Sequence, residues 1–539
     1  MIHTDATEAP IEFEEPDVCI VGGGIAGAFA AWKLGRAGIR TVILEAGPRH
    51  PPEEAAQRMQ RHLQGDYPWS SNWPERDVFS SAGEIDYPLN DNRVKGVGGT
   101  TLHWQAYCLR FIESDFRMRS LYGLAEDWPI SYDELEPYYG EAEAELGVAG
   151  ADDNPFASHR STPFPLPAFP IGYDERFIVR AGQDLGITFH SFPQARTSHA
   201  YRDRPACDTY GVCRVCPTRA RYSADIHVEL AESTGNVLVV PEACVVRLEA
   251  DGNRRIRRAI YRTRDGEEHA LSATRFVLAA HAVESARLLL LSAQEGHRDG
   301  LANRSGAVGR FFMEHMGQLR AASLDEPLYP YRTGFVTTYS QQFHDRPQRD
   351  EASGFLLRGN AGGGRAEGII SSETLRSGNW GEAFARQLET RIDNEYGRTM
   401  MLGSAVEPLP SEHNRVELDP DLRDAFGDPA PRLTYAQSEY ERAGHNAADE
   451  HLHALADALG AESLGPAWNH FSSHHAGTCR MGTDPDTSVV DANLRAHDLD
   501  NLYVLGSSTF VTLSVVNPTL TIAGLALRLG DHLAAEASR

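Results

Sequence analysis

The chain has 539 residues, 41% of them hydrophobic, which is enough for a sizeable interior and more length than one core organises, so two domains are expected. It carries 51 basic against 76 acidic side chains, a formal net charge of -25, and that field disfavours nucleic acid and anionic membrane surfaces. No uninterrupted apolar run reaches the roughly 20 residues that span a bilayer. Met1 to Pro16 is acidic and polar, without the charged start and apolar core of an export signal, so a soluble cytoplasmic protein is the default expectation. Lys33 and Lys95 are its lysines and arginine supplies the other permanent cations, a composition that favours a halophilic setting over simple coding bias.

Asp17-Val-Cys-Ile-Val21 predicts a short buried strand, Gly22-Gly-Gly24-Ile-Ala-Gly27 a tight turn, Ala28 to Ala37 a helix, and Thr41-Val-Ile-Leu44 a second strand ending on Glu45. In this order of strand, G-x-G-x-x-G, helix, strand and acid, Gly22 makes the turn, Gly24 admits a pyrophosphate and Gly27 lets the helix approach the strand. Glu45 is then placed to accept hydrogen bonds from the ribose of an adenosine. An ordinary glycine-rich turn in an α/β core is the plainer alternative. Gly96-Val-Gly98-Gly99-Thr-Thr-Leu-His103-Trp104 forms a second glycine-rich loop, which a nicotinamide enzyme does not require. Within Asp127 to Tyr139, Ser131 and Glu134 form a capping box at the start of a helix.

The seven cysteines stand at 19, 108, 207, 213, 216, 244 and 479, an odd count that argues against a disulfide framework. Cys19 is expected to pack in the first strand. Cys207-x5-Cys213-x2-Cys216-Pro217 brings three thiols into one loop, where they could ligate iron-sulfur or zinc. Three ligands suit a three-iron cluster better than a closed four-cysteine zinc site, and three reduced cysteines in a structured loop is the alternative. Further along, Tyr331 to Tyr339, Gly354 to Leu357, Met400 to Pro408 and Asn414 to Leu418 are candidate strands, Gly427 to Pro431 a turn, and Tyr440 to Leu459 an amphipathic helix.

The chain closes on His474-His475-Ala-Gly-Thr-Cys-Arg-Met-Gly482 and Val516-Asn517-Pro518-Thr519-Leu-Thr-Ile522. An imidazole can take a proton near neutral pH, an asparagine amide can hold an alkoxide, and the amino end of the helix after Pro518 favours negative charge. Pro518 near that start removes no needed donor. Together these groups suggest oxidation of an alcohol by a base of pKa near 7.

With these motifs in this order, the chain from about Pro16 to Leu533 resembles the glucose-methanol-choline (GMC) family of flavin oxidoreductases. Phe276 to Ser285, Val308 to His315 and Asn501 to Leu505 match its other landmarks. The likeness is nearest to bacterial sugar and sugar-acid dehydrogenase large subunits and to pyranose and cholesterol oxidases. It implies an α/β fold, with an FAD-binding Rossmann-like domain on a mostly parallel sheet and a discontinuous substrate domain of antiparallel sheet and helices. The FAD domain is expected from residues 1–50, 92–150, 196–318 and 466–539, and the substrate domain from 51–91, 151–195 and 319–465.

By the same resemblance, Gly22, Gly24, Gly27 and Glu45 hold the ADP half of FAD, and Gly98, Gly99, His103, Pro518 and Thr519 lie along its diphosphate and isoalloxazine. His103 either bonds covalently to the flavin 8α-methyl or touches it without a bond. Counting back from Gly477 selects His474 over His475 as the base, and Asn517 as its partner, for a hydride transfer from a CH-OH group to flavin N5. Cys207, Cys213 and Cys216 correspond to a loop that carries a 3Fe-4S cluster, although the second gap here is one residue shorter than usual. A sugar or related polyol is the implied substrate, with oxygen, a quinone or a cytochrome subunit as acceptor. A small partner subunit bearing an export signal is compatible with the family. A sterol or other alcohol oxidase using oxygen, and a lyase using FAD structurally, are the alternatives.

Overall fold

The computed structural model describes residues 15–64, 69, 76–91, 93–208, 214–252, 254–329, 332–361, 397–471 and 473–538. The chain begins with β1 (Val18–Val21), α1 (Ile25–Arg36) and β2 (Thr41–Leu44). Both strands are four-residue apolar runs with every residue buried, the pattern of a parallel sheet covered on both faces. α2 (Tyr132–Leu146) starts at the expected capping box: the Glu134 N–H donates to Ser131 Oγ at 3.2 Å, and the Ser131 N–H donates to Glu134 Oε2 at 2.8 Å. α3 (Asp225–Glu232) leads into β3 (Val237–Val240), an antiparallel meander of β4 (Cys244–Ala250), β5 (Ile256–Arg262) and β6 (Glu268–Ser272), then β7 (Arg275–Leu278) and α4 (Ala282–Leu291).

The chain then crosses into a second lobe with β8 (Met316–Ser323), β9 (Phe355–Ala361), β10 (Thr399–Val406), β11 (Arg415–Arg423), β12 (Pro429–Tyr435), α5 (Glu439–Ala458) and β13 (Trp468–Phe471). It returns to the first lobe for β14 (Leu502–Val504) and α6 (Thr519–Ala537). The central sheet has the order β14-β7-β1-β2-β3 with every pair parallel, so its last strand in sequence flanks β7 at one edge. α1 is buried along nearly its whole length, packed against α3 and α6.

In the second lobe, β9, β10, β8 and β13 form an antiparallel sheet whose side chains alternate between two faces. Leu357, Leu402, Met400 and Ala322 close one face against Ala448, Leu452 and Leu455 of α5. The opposite face looks toward the first lobe, where Leu356 packs on its core. Two local readings change here. Thr338–Tyr339 is the stretch of strand described within 331–339, because the chain before it runs irregularly, and Tyr331 lies outside the described residues. Residues 427–431 are not all turn, since Pro429 opens β12. Pro429 pairs with Arg423 and Pro431 with Leu418, and the register shifts between them, an irregularity that accommodates residues without an N–H to donate.

A buried ionic cluster spans the lobes. Arg349 donates to both Glu407 oxygens, at 3.0 and 2.7 Å, and to Asp115 Oδ1 at 2.5 Å. All three side chains are fully buried. Burial pushes the Asp115 carboxyl up, but the charges of His344 and Arg349 outweigh it and hold the group below the usual carboxylate range. Removing the shared cation strands two buried carboxylates. Arg349→Met is therefore expected to cost about 3–5 kcal/mol in denaturant unfolding. A loss below about 1 kcal/mol, the scale of exposed pairs, would show that the cluster does not hold the lobes together.

Candidate active site

A cleft runs from the glycine turn after β1 to the start of α6. At Gly22, φ is +106°, and a Cβ would lie 2.5 Å from the Ala279 carbonyl oxygen. The second glycine loop comes equally close, since a Cβ on Gly99 would sit 2.9 Å from Gly24 Cα. The two loops leave a floor of bare backbone, as a pyrophosphate needs. α1 and α6 both begin at this floor without a side-chain cap, and Gly24, Ile25, Pro518 and Thr519 line it. Their amino ends favour an anion there.

Glu45 lines the same cleft and does more than face a ribose. Its Oε2 accepts from the Gly23 N–H at 2.7 Å, and its Oε1 accepts from Gly47 and Gly96 at 2.8 and 3.0 Å. The carboxylate thus stitches the first glycine turn to the second loop, although burial raises its pKa against those three donors. Gly98 is left-handed at φ +106° and turns this second loop into the cleft.

At the far end, His474 and Asn517 come together, with His474 Nε2 3.1 Å from Asn517 Nδ2. Behind them, His474 Nδ1 lies 2.7 Å from His315 Nδ1, and His315 Nε2 lies 2.8 Å from the Ser514 carbonyl oxygen. A carbonyl only accepts, so the direction of this chain is fixed. His315 donates through Nε2, its Nδ1 lone pair accepts from His474 Nδ1–H, and the free lone pair of His474 is left on Nε2, beside Asn517. Burial pushes His315 down to about 4, which keeps it neutral and able to accept. His474 is also depressed, well below the usual histidine value, first by burial and then by His315, His470 and Arg358. The expected base of pKa near 7 is corrected accordingly: burial decides its pKa more than residue type does.

Glu314 fixes the backbone of this segment by accepting from the His474 N–H at 2.8 Å, and Tyr87 donates to its other oxygen. His475 is held differently. Its ring stacks on Phe312 and meets His281, with His281 Nε2 2.7 Å from His475 Nδ1, and it makes no pair with Asn517. His315, Ser514 and Glu314 were not assigned roles from sequence. Glu314 and His315 close a family landmark, which was the available signal, whereas nothing local marks Ser514.

His103 does not join the cleft lining, although Thr101 and Trp104 on either side of it do. Burial, with Arg221 and Arg214 nearby, lowers its pKa to about 4. Arg221 donates to the carbonyls of Leu102 and Trp104 at 2.5 Å each, and its own N–H lies 3.4 Å from Cys216 Sγ. The cysteine loop is thereby tied to the His103 loop. Cys207 and Cys216 are reduced and partly exposed, and Cys213 lies outside the described residues. Burial alone would raise the Cys216 thiol, but the Arg221 charge and hydrogen bonds from Arg221 and Thr218 bring it below its ordinary value. Among the described residues no three potential metal ligands converge, nor is any helix long and apolar enough to cross a membrane.

Comparison with known proteins matches residues 410–526 to a family described as GMC oxidoreductase and residues 17–153 to one described as FAD dependent oxidoreductase. The chain is 33% identical to the fructose dehydrogenase large subunit of Gluconobacter japonicus, covering 96% of this chain and 97% of that protein. It is 30% identical to the 2-methyl-1,2-propanediol dehydrogenase of Mycolicibacterium austroafricanum, covering 96% and 95%. Among solved structures it is similar in fold to pyridoxine 4-oxidase from Mesorbium loti, with TM-score 0.65, 21% identity, and coverage of 96% and 99%.

Proposed function

Because the chain belongs to the GMC oxidoreductase family, we propose that it oxidises a CH-OH group, of a sugar or related polyol, to a carbonyl with FAD as cofactor and His474 as base. The observation that carries this reading is the directed chain from Ser514 through His315 to His474, which leaves a lone pair beside Asn517 at the cleft. When bound, FAD supplies the acceptor for the two electrons and hydrogen lost from the carbinol carbon. Gly22, Gly24, Gly27, Glu45, Gly98 and Gly99 would hold its adenosine and diphosphate portions, where the bare floor and two helix starts fit an anion.

In the reaction, His474 Nε2 takes the hydroxyl proton. Asn517 Nδ2, which donates to His474 in the free enzyme, turns its N–H to the substrate oxygen and stabilises charge as the proton leaves. His315 holds the imidazole in the tautomer that can accept. Pro518 and Thr519 set the start of α6 so that its dipole favours negative charge at that end of the cleft.

Cys207, Cys213 and Cys216 would hold a 3Fe-4S cluster, which would supply one-electron transfer toward a quinone or cytochrome partner. A lowered Cys216 thiol and its link through Arg221 to the flavin-side loop support that role. A small partner subunit fits a relative that is itself named a large subunit.

Three outcomes follow. His474→Ala should retain flavin yet slow its anaerobic bleaching by a saturating alcohol about a thousandfold, and near-normal bleaching would remove His474 as base. The active form of His474 is neutral, and its pKa is lowered, so that form persists as pH falls through 6.5. The flavin-reduction rate should therefore stay level from pH 8 to about 5.5, and an acid-side loss centred between 6 and 7 would contradict the buried relay. Anaerobically purified protein should contain iron and acid-labile sulfide, both lost in Cys216→Ser, and the absence of both from the wild type excludes the cluster.

A further inference from the structure

The sheet that follows His315 carries a cation that the proposed chemistry does not use. On the face toward α5, Arg320 is matched to Asp449, with Nε and Nη2 at 2.6 and 2.8 Å from its two oxygens. The other face belongs to His315, just ahead of β8, and to the residues that alternate with it, Gly317 and Leu319. Register sets Arg358 of β9 opposite Gly403 of β10, Gly403 opposite Leu319, and Gly317 opposite His470 of β13. These side chains therefore share the face that contains the His474 contact.

The two glycines make room on this face for side chains from the neighbouring strands, and Leu319 Cδ2 lies 2.6 Å from where a Cβ on Gly403 would stand. A Cβ on Gly317 would lie 2.2 Å from His470 Cε1, and one on Gly403 would lie 3.3 Å from Arg358 Nε. The His470 ring lies over Gly317 and the Arg358 side chain over Gly403, reaching inward from the two flanking strands. Arg358 is partly buried, yet no hydrogen bond or ion pair engages its guanidinium among the described residues, and the buried Nδ1 of His470 also lacks a partner. A partly buried guanidinium without a counter-charge among the described residues is unusual. It is the more unexpected in a chain where acidic side chains outnumber basic ones by 76 to 51. Both groups reach His474 electrostatically and help hold its pKa down.

The geometry points to Arg358, assisted by His470, as the binding site for an anionic group of the substrate, so that the alcohol oxidised at His474 carries a carboxylate or phosphate. This rests on the alcohol-oxidising reading of His474 and Asn517. A planar guanidinium takes either anion through two parallel hydrogen bonds, and neutral His470 can donate one more.

The test is anaerobic flavin reduction of the holoenzyme with glucose, gluconate and glucose 6-phosphate, in the wild type, Arg358→Gln and Arg358→Lys. At least one anionic probe should reach half-saturation about tenfold or more below glucose, in line with a charged hydrogen bond. Arg358→Gln should erase that difference by raising the half-saturation of the anionic probe toward that of glucose, and Arg358→Lys should restore part of it. Preference for gluconate alone assigns a carboxylate, and preference for glucose 6-phosphate alone a phosphate. Equal or better use of glucose, with the ratio unaltered in Arg358→Gln, overturns the site while leaving alcohol oxidation intact. If no probe bleaches the flavin, glutarate and inorganic phosphate are titrated against the flavin spectrum. Binding that depends on Arg358 then upholds the anion site although the oxidation reading fails, and its absence overturns the site as well.

Discussion

A backbone carbonyl cannot donate a hydrogen bond, and the His474 end of the cleft is organised by that fact. The Ser514 carbonyl orders the tautomer of His315, and His315 orders that of His474. Ser514 presents the carbonyl from a left-handed conformation, φ +61°, unusual for a residue with a side chain. Its hydroxyl is engaged as well, donating to Asp115 Oδ2 at 2.6 Å. One residue thus couples the orientation of His474 to the buried Asp115, Arg349 and Glu407 cluster, so the relay is as rigid as the junction between the lobes.

The same economy governs the dinucleotide end. Glu45 has two oxygens, and three backbone donors from three separate segments use them. The carboxylate stands where a polar partner of the cofactor is needed, and it also assembles the floor on which a diphosphate would rest. Two helix starts without side-chain caps complete that floor. The two ends of the cleft differ in character. The glycine-loop end is shaped mainly by backbone donors and the His474 end by buried imidazoles.

What the sequence disclosed depended on how local the determinant was. Gly22 to Gly27 and Glu45 act through spacing within one strand-helix-strand unit, and Ser131 with Glu134 within a single turn, so both could be read directly. His315 and His474 are far apart in the chain and meet through the fold, so their relay was invisible even though each residue was in view. The acidity of His474 was misjudged because residue type suggests a value near neutrality, while burial first, and then His315, His470 and Arg358, lower it in the fold. Arg358 escaped notice because its meaning depends on bare glycines in neighbouring strands, which sheet register alone brings alongside it. Pro429 was read as turn because proline commonly marks one, and the register shift that lets it enter β12 is set by its partner strand.

The order of strands in the central sheet bears on how the protein is made. β1 and β2 are synthesised early, but the strand flanking β7 and the helix packed on α1 come from residues beyond 500. Contacts of such long sequence separation form late and slowly. Residues beyond 500 must emerge before α6 can dock beside the glycine turn, so until then α1 of the nascent first lobe is covered on its α3 side and bare on its α6 side. Cofactor capture then belongs to the final stage of folding, and the interval before it is when the chain most needs protection from aggregation.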